Sequence, residues 1–534
     1  MAKKPNEKKS DREKRARTVD PVARALAAQN AGRAVPLAQT EPIPEGQGVM
    51  LLLGILSIFL TGARLLAGKT VGFGDSEALY ASYAFFPQAT YLDHPGLIGL
   101  LARAIGAGRA PSPADTHLLT TTLSMFTPWL GFAAARAYGQ SRRASAITGI
   151  ALLVAPVMAV GLFALTPDLL LAPLWLGSLA LALASLRAQE AGETGMRVIA
   201  GFVFAGLLAG VAASAKVSGI CLMVTLAIVY ARIPKKHRTP WAWVGLAIGC
   251  IVLVPIVRYE ATHGFPMLHH RLVSTQRGGP EAGRAAGAIF GQLLYVSPVL
   301  CLLAIMLGRR LFLARKADLA TSLLATNMLV SLAVLVPVSL LLRSAEPHWL
   351  APVFLPIAIY AGSQDPIRFA RRGAYLAAAM SAFVYVWVLV PSVSKLWPIE
   401  PKADITNELF GWPNTLTGVI ETVDASRTPL DHNDVVVVGL HWTVCGQLRA
   451  GLPKEIDVGC LTHGGDDWDT WLPRDQWMKR GTVILVTTDK LGMDRPEELF
   501  PDFAMDGDSR VSMFRGGRPV RVFHIIVLKR RAKV

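Results

Sequence analysis

Ten residues of this chain carry charged or imidazole side chains in or beside long apolar runs: Asp75, Glu77, Asp93, His94, Asp168, Lys216, Arg258, Arg343, Glu346 and His348. Such groups are expensive in a membrane setting and mark sites of function more often than chance placement does. Carboxylates beside cations at a membrane face suit transfer of a group from a lipid phosphate. One carboxylate takes the proton of an acceptor hydroxyl, and the cations hold the charge that gathers on the departing phosphate. Asp75 and Glu77 lie in GDSEALY (74–80), and Asp93 and His94 in YLDHPG (91–96). A further segment, 258–284, holds Arg258, Arg271, Arg277 and Arg284 with His263, His269 and His270. Arginines kept on an external face imply either an anionic ligand or contact with lipid phosphates. Plainer roles exist for each residue: helix caps for Asp75 and Asp168, snorkelling for Lys216, and solvated loop positions for Glu346 and His348. Convergence on one membrane face favours the chemical roles.

The elements that bring these residues together are apolar helices. The 534 residues are 52% apolar and 17% charged. Apolar stretches near 48–66, 114–136, 144–163, 167–186, 198–214, 217–231, 241–257, 287–308, 319–342, 347–362 and 373–394 are each about long enough to cross a hydrocarbon core of roughly 30 Å. The net charge of +16 does not point to nucleic acid, because the basic residues alternate between loops. Arg142/Arg143, Arg187/Arg197, Lys235/Lys236, Arg309/Arg310 and Arg371/Arg372 fall on one side, the cytoplasm by the positive-inside rule. The basic segment 1–47 reads as a disordered cytoplasmic tail able to rest on anionic lipid. With about eleven spans in a bacterial inner membrane, the loop 68–113 and everything after 395 lie outside. That loop is expected to form two interfacial helices broken at Pro87 and at His94–Pro95–Gly96.

From 395 to 534 the pattern changes to that of a small extracytoplasmic α/β domain. DVVVVGL (434–440), EIDVGCL (455–461), TVILVTTD (482–489) and VRVFHIIVL (520–528) read as strands, with helices over 406–424 and 441–452. Cys445 and Cys460 fit either a disulfide or two buried thiols, since no spacing rule ties them.

The run GDSEALYASYAFFPQATYLDHPGLIGLLAR resembles the first-loop signature of bacterial glycosyltransferase family 39, the dolichyl-phosphate-mannose protein mannosyltransferase-like group of the GT-C superfamily. LTPDLLLAPLWLGSLAL, GVAASAKVSGICL, PIVRYEATHGFPMLHHRL, GQLLYVSPVL and EPHWLAPVFLPI are similar to later blocks in the same order, so the resemblance covers 48–394. GDDWDTWLPRDQW, in the tail, is similar to the family's external domain. The resemblance implies a GT-C catalytic domain over 48–394 that takes a sugar from a polyprenyl-phosphate donor with inversion. It implies Asp75 or Glu77 as base, Asp93 as a second active-site or metal-binding acid, and Lys216 with Arg258 or Arg271 on the phosphate. His94, Asp168 and His348 complete the expected substrate-binding set. Two positions depart from the pattern: Ser76 stands where the family has its aspartate, and Gly96 where it has a second proline.

The expected acceptor is a lipid, glycan or protein. No cofactor is implied with certainty; a divalent metal ion at Asp93 and His94 is an option, though no ligand spacing such as HExxH is present. The rival reading is a non-catalytic relative or a lipid-linked sugar transporter. A transporter predicts inverted repeats, of which the sequence shows none.

Overall fold

A computed structural model describes residues 46–531 except 277–280, 344, 363, 365–366, 396–398, 428–433, 463–464 and 492–495. The expected tail 1–47, all but its last two residues, and Arg277 lie outside the described residues. The protein is a polytopic helical membrane protein with a small C-terminal sheet domain.

The eleven apolar stretches all fold as helix, but not as eleven straight spans. Among the described residues six helices are individually long and apolar enough to cross: Gln47–Thr70, Pro113–Ala137, Pro167–Glu190, Met196–Ala215, Leu319–Leu341 and Ala370–Leu389. Three stretches are broken pairs, bent by 69° at Val154/Pro156, 41° at Val252/Val254 and 103° at Tyr295/Pro298. Val217–Ala231 and Pro347–Ala361 are shorter apolar helices. The stretch 287–308 is therefore no straight span. Ser297 sits at φ 91° and its hydroxyl caps the helix opened by Pro298, which turns the chain at that point.

A break inside a bundle frees carbonyls that lipid cannot satisfy. At the 69° break Ser381 Oγ donates to the Val154 carbonyl at 2.9 Å, and at the end of the short helix beyond it the buried Arg64 of the first helix donates from Nη2 to the carbonyls of Met158 (2.6 Å) and Ala159 (2.9 Å). Elsewhere small residues let helices close up. A Cβ on Gly206 or Gly210 would meet the backbone around Gly245 and Gly249, so Met196–Ala215 and Pro240–Val252 touch through glycine faces.

The C-terminal domain is a five-stranded sheet in the order β2-β1-β3-β5-β4: β1 Val435–Gly439, β2 Val458–Cys460, β3 Thr482–Thr488, β4 Phe503–Arg515 and β5 Arg518–Arg530. β1 pairs in parallel with β2 and β3, and β5 runs antiparallel to β3 and β4. Alternate valines of β1 serve two cores. Val435 and Val437 pack with helices Trp412–Ser426 and Trp442–Gly451, and Val436 and Val438 pack with Trp477 and Phe500. β4 was not expected from sequence; most of its residues are exposed, so it lacks an apolar run.

The long loop after the first helix joins the two parts. Helix Asp75–Ser82 is followed by a 3-10 turn at Tyr83–Phe85, a bridge between Thr90 and Pro95, and helix Leu97–Ile105. Helix Trp442–Gly451 of the sheet domain packs on Asp75–Ser82, where a Cβ on Gly446 would come within 3.0 Å of the Leu79 amide nitrogen. Cys445 in that helix is disulfide-bonded to Cys460 at the end of β2.

Candidate active site

A cavity of about 610 Å³ opens where the first loop, the helix ends of the bundle and the sheet domain meet. Its membrane-side wall carries two linked sets of acids and cations. In one, Asp168, in the first turn of Pro167–Glu190, faces Lys216 Nζ at 2.7 Å and His348 Nε2 at 3.3 Å, and His348 Nδ1 reaches Glu346 at 3.1 Å. Lys216 is presented because Met196–Ala215 ends there: the residue is extended, buried, and followed by a 3-10 turn. In the other, Asp93 Oδ1 lies 3.0 Å from Arg271 Nη2 and 3.6 Å from His270 Nε2. Arg271 also donates to the Asp93 carbonyl at 3.0 Å and lies 3.4 Å from His94 Nε2. Trp349 stands between the sets, its ring centroid 6.0 Å from Lys216 Nζ and 5.6 Å from Arg271 Cζ.

Burial, and next the Arg271 charge, hold the His94 imidazole well below its usual pKa, so it is neutral at pH 7. The hydrogen bond from His348 holds Glu346 below the ordinary carboxylate range.

The site residues expected from sequence divide. Asp93, His94, Asp168, Arg271 and His348 line the cavity, and Lys216 is held to it through Asp168. Arg258 is exposed in the middle of helix Val254–Thr262, outside the lining. Asp75 and Glu77 are also outside it. Glu77 is buried and fully engaged: it accepts from the Leu165 amide at 2.8 Å and the Gly74 amide at 3.3 Å, and meets His117 Nε2 at 3.1 Å. It is the returning half of a capping box and a strut to the second span. Asp75 faces the sheet domain, 3.4 Å from Gln447 Nε2; burial, then the Glu408 charge, raises its carboxyl to about 6. One helical residue is about a 100° turn, so Asp75, Ser76 and Glu77 point three ways. Ser76 is the one that lines the cavity. The proposed cap role of Asp168 does not hold: the N-cap is Thr166, and Asp168 pairs with Lys216.

Gly96 also has a physical explanation. A Cβ there would run into the carbonyls of Gln88 and Ala89, and its amide donates to Ala89 at 2.8 Å, a bond proline cannot make.

Sequence reasoning missed the third wall. Trp442, Thr462, Asp466, Asp467 and Trp468, all from the sheet domain, line the cavity. Asp467 Oδ2 accepts from Tyr83 Oη at 3.2 Å and Oδ1 from the Leu92 amide at 3.0 Å, which ties the domain to the residue before Asp93. Aromatic stacking reinforces the joint: Tyr83 on Tyr91 at 3.6 Å and Phe86 on Trp471 at 4.2 Å. The signal available beforehand was the density of Asp and Trp in GDDWDTW directly after a strand. Among the described residues no group of three His, Cys, Asp or Glu side chains is arranged to hold a metal ion.

Residues 115–259 match the family profile described as dolichyl-phosphate-mannose-protein mannosyltransferase. No curated protein sequence matches the chain. Two crystal structures of ArnT from Cupriavidus metallidurans share its fold. The form bound to undecaprenyl phosphate aligns with a TM-score of 0.56 at 16% identity, and the apo form with 0.57 at 17%. Each alignment covers 90% of this chain and 98% of the other. The fold is thus of the GT-C type, from the first span through the sheet domain.

Proposed function

We propose that this GT-C chain is an integral membrane glycosyltransferase that moves a sugar from a polyprenyl-phosphate donor to an acceptor hydroxyl at the external membrane face, with inversion. The observation that carries the reading is the cavity wall in which Lys216, Arg271 and His348 converge beside the carboxylates Asp93 and Asp168. Cations already ordered by ion pairs need little reorganisation to receive a phosphate, which is the condition for electrostatic stabilisation of a leaving group.

In the proposed step the acceptor oxygen attacks C1 of the sugar, the C1–oxygen bond to phosphate breaks, and polyprenyl phosphate leaves toward Lys216 and Arg271. Of the three acids considered from sequence, Asp93 alone lines the cavity, and it is assigned the acceptor proton. The orientation proposed from the loop charges puts the cavity and the sheet domain in the periplasm of a bacterial inner membrane. A disulfide in that domain supports an oxidising compartment.

The test is undecaprenyl phosphate binding by the purified full-length protein. Arg271→Gln and Lys216→Met are expected to weaken it about tenfold or more, since charge-assisted contacts are lost. Unchanged affinity in both would sink the phosphate assignment. A gene deletion should leave one cell-surface glycan or lipid short of a sugar.

A further inference from the structure

Behind the Asp93 wall, outside the lining of the cavity, lies an acid that the proposed transfer does not use. Glu260, in helix Val254–Thr262, is 4% exposed and pairs with no Lys, Arg or His among the described residues. Burying a carboxylate without a cation is costly unless hydrogen bonds hold it. Three do: its Oε1 accepts from Thr90 Oγ1 at 2.8 Å and from the Met267 amide at 3.4 Å, and its Oε2 from the Leu268 amide at 3.4 Å. Thr90 begins the bridge to Pro95 that presents Asp93, whereas Met267 and Leu268 lie in the first turn of helix Pro266–Leu272, which carries Arg271. Between the two helices Gly264 (φ 76°) and Phe265 (φ 58°) turn the chain in the left-handed region, and the Phe265 amide closes that turn on the Glu260 carbonyl at 2.7 Å.

We propose that Glu260 is a positioning residue for the transfer: one carboxylate clamps the turn of Asp93 and the helix of Arg271 from behind, and so fixes the spacing of the proton acceptor and the phosphate cation. The inference rests on the function proposed above and adds to it a residue that touches neither donor nor acceptor. The contacts close a ring. From Glu260 they run through Thr90 to the Asp93 turn and across to Arg271, whose guanidinium holds both the Asp93 carbonyl and its carboxylate at 3.0 Å. They return through Leu268, about one helical turn before Arg271, to Glu260. Opening the ring at Glu260 frees both functional groups at once, and a misplacement of about 1 Å can cost about 10²-fold in rate.

The test uses the full-length protein as wild type, Glu260→Leu, Glu260→Gln, Thr90→Val, Arg271→Gln and Glu260→Leu combined with Arg271→Gln. Undecaprenyl phosphate binding is measured on each purified protein, and transferred sugar, per folded molecule, in a complemented deletion strain. Glu260→Leu should bind undecaprenyl phosphate about tenfold more weakly, the scale of one or two lost hydrogen bonds, and transfer about 10²-fold less sugar. Glu260→Gln keeps one oxygen for Thr90 and Met267 and should recover most of both losses. Thr90→Val releases the Asp93 turn alone, so it should bind undecaprenyl phosphate as wild type does and transfer about tenfold less sugar. With Arg271→Gln already present, Glu260→Leu should weaken binding by less than about twofold, because its effect on affinity runs through the guanidinium. An equal loss in both backgrounds, or wild-type transfer by Thr90→Val, would overturn the clamp; the second result decides even where Glu260→Leu does not fold. If instead Arg271→Gln and wild type bind undecaprenyl phosphate alike while Thr90→Val still loses transfer, the phosphate assignment fails and the hold on Asp93 stands.

Discussion

The two halves of the long loop after the first helix carry acids of similar appearance and opposite fate. In Gly74–Ser82 the carboxylates of Asp75 and Glu77 are consumed by architecture: one faces the sheet domain, the other braces His117 and the Leu165 amide. In Tyr91–Leu97 the carboxylate of Asp93 opens on the cavity with Arg271 and His270 around it. The difference comes from backbone form. A helix spreads adjacent side chains around its axis, whereas the short bridge between Thr90 and Pro95 presents Asp93 on a turn held by the Asp467 carboxylate and the glycine at 96. Nearness in sequence to a motif is therefore a poor guide to which acid meets a substrate.

The contrast can be broken most severely at Asp93. Asp93→Asn should insert and fold normally but lose about 10²–10⁴-fold in sugar transfer, the range for a general base; transfer within threefold of wild type, on the scale of ~0.6 kcal/mol, would return the role to another acid. Glu77→Gln should do the reverse. Removing one partner of a buried ion pair costs about 3–5 kcal/mol, so thermal unfolding in detergent should drop sharply, while turnover per folded molecule stays near wild type. A selective loss of turnover without loss of stability would place Glu77 in the chemistry.

A smaller effect is expected from pH at the joint between loop and sheet domain. Burial, the largest cause, raises Asp467 to about 7 from 3.8, so the folded form keeps a proton that the unfolded form has lost. Its contribution to stability is full below about pH 4 and is lost as pH rises to about 7. Hydrogen exchange of the Leu92 region should accelerate between pH 5 and 8 beyond the intrinsic rate, and Asp467→Asn should abolish that excess. The smallest change belongs to Asp75→Asn. Its carboxyl, at about 6 against 3.8 when unfolded, is protonated in acid and penalised when ionised, so the variant should be as active as wild type and stabilised by about 1 kcal/mol above pH 7 and not below about pH 4. Lost activity would contradict the position seen for Asp75.

Much of the architecture was legible because its causes are local. Apolar length gave the helices of the eleven apolar stretches, and the runs DVVVVGL, EIDVGCL, TVILVTTD and VRVFHIIVL gave β1, β2, β3 and β5. The breaks were missed although each carries a local mark, since Pro156, Pro255 and Pro298 stand at the start of the second helix of each pair; their angles were not legible. β4 escaped because its register comes from β5, not from its own pattern. At the site, Asp93, Asp168, Lys216 and His348 announced themselves as charges beside apolar runs, and Arg271 as one of the arginines clustered in 258–284. Asp466 and Trp468 did not, since in a soluble domain such residues are ordinary until the fold turns them toward the membrane-side wall.

The hydrogen bond from Tyr83 to Asp467 joins residues 384 positions apart. The cation wall is complete only with His348, 119 positions before Asp467, so at a synthesis rate of about 5–20 residues per second roughly 6–24 s separates the making of one wall from the making of the other. During that interval the cation wall can exist without its counterpart. The newborn chain can thus order its cations before the sheet domain closes the cavity over them.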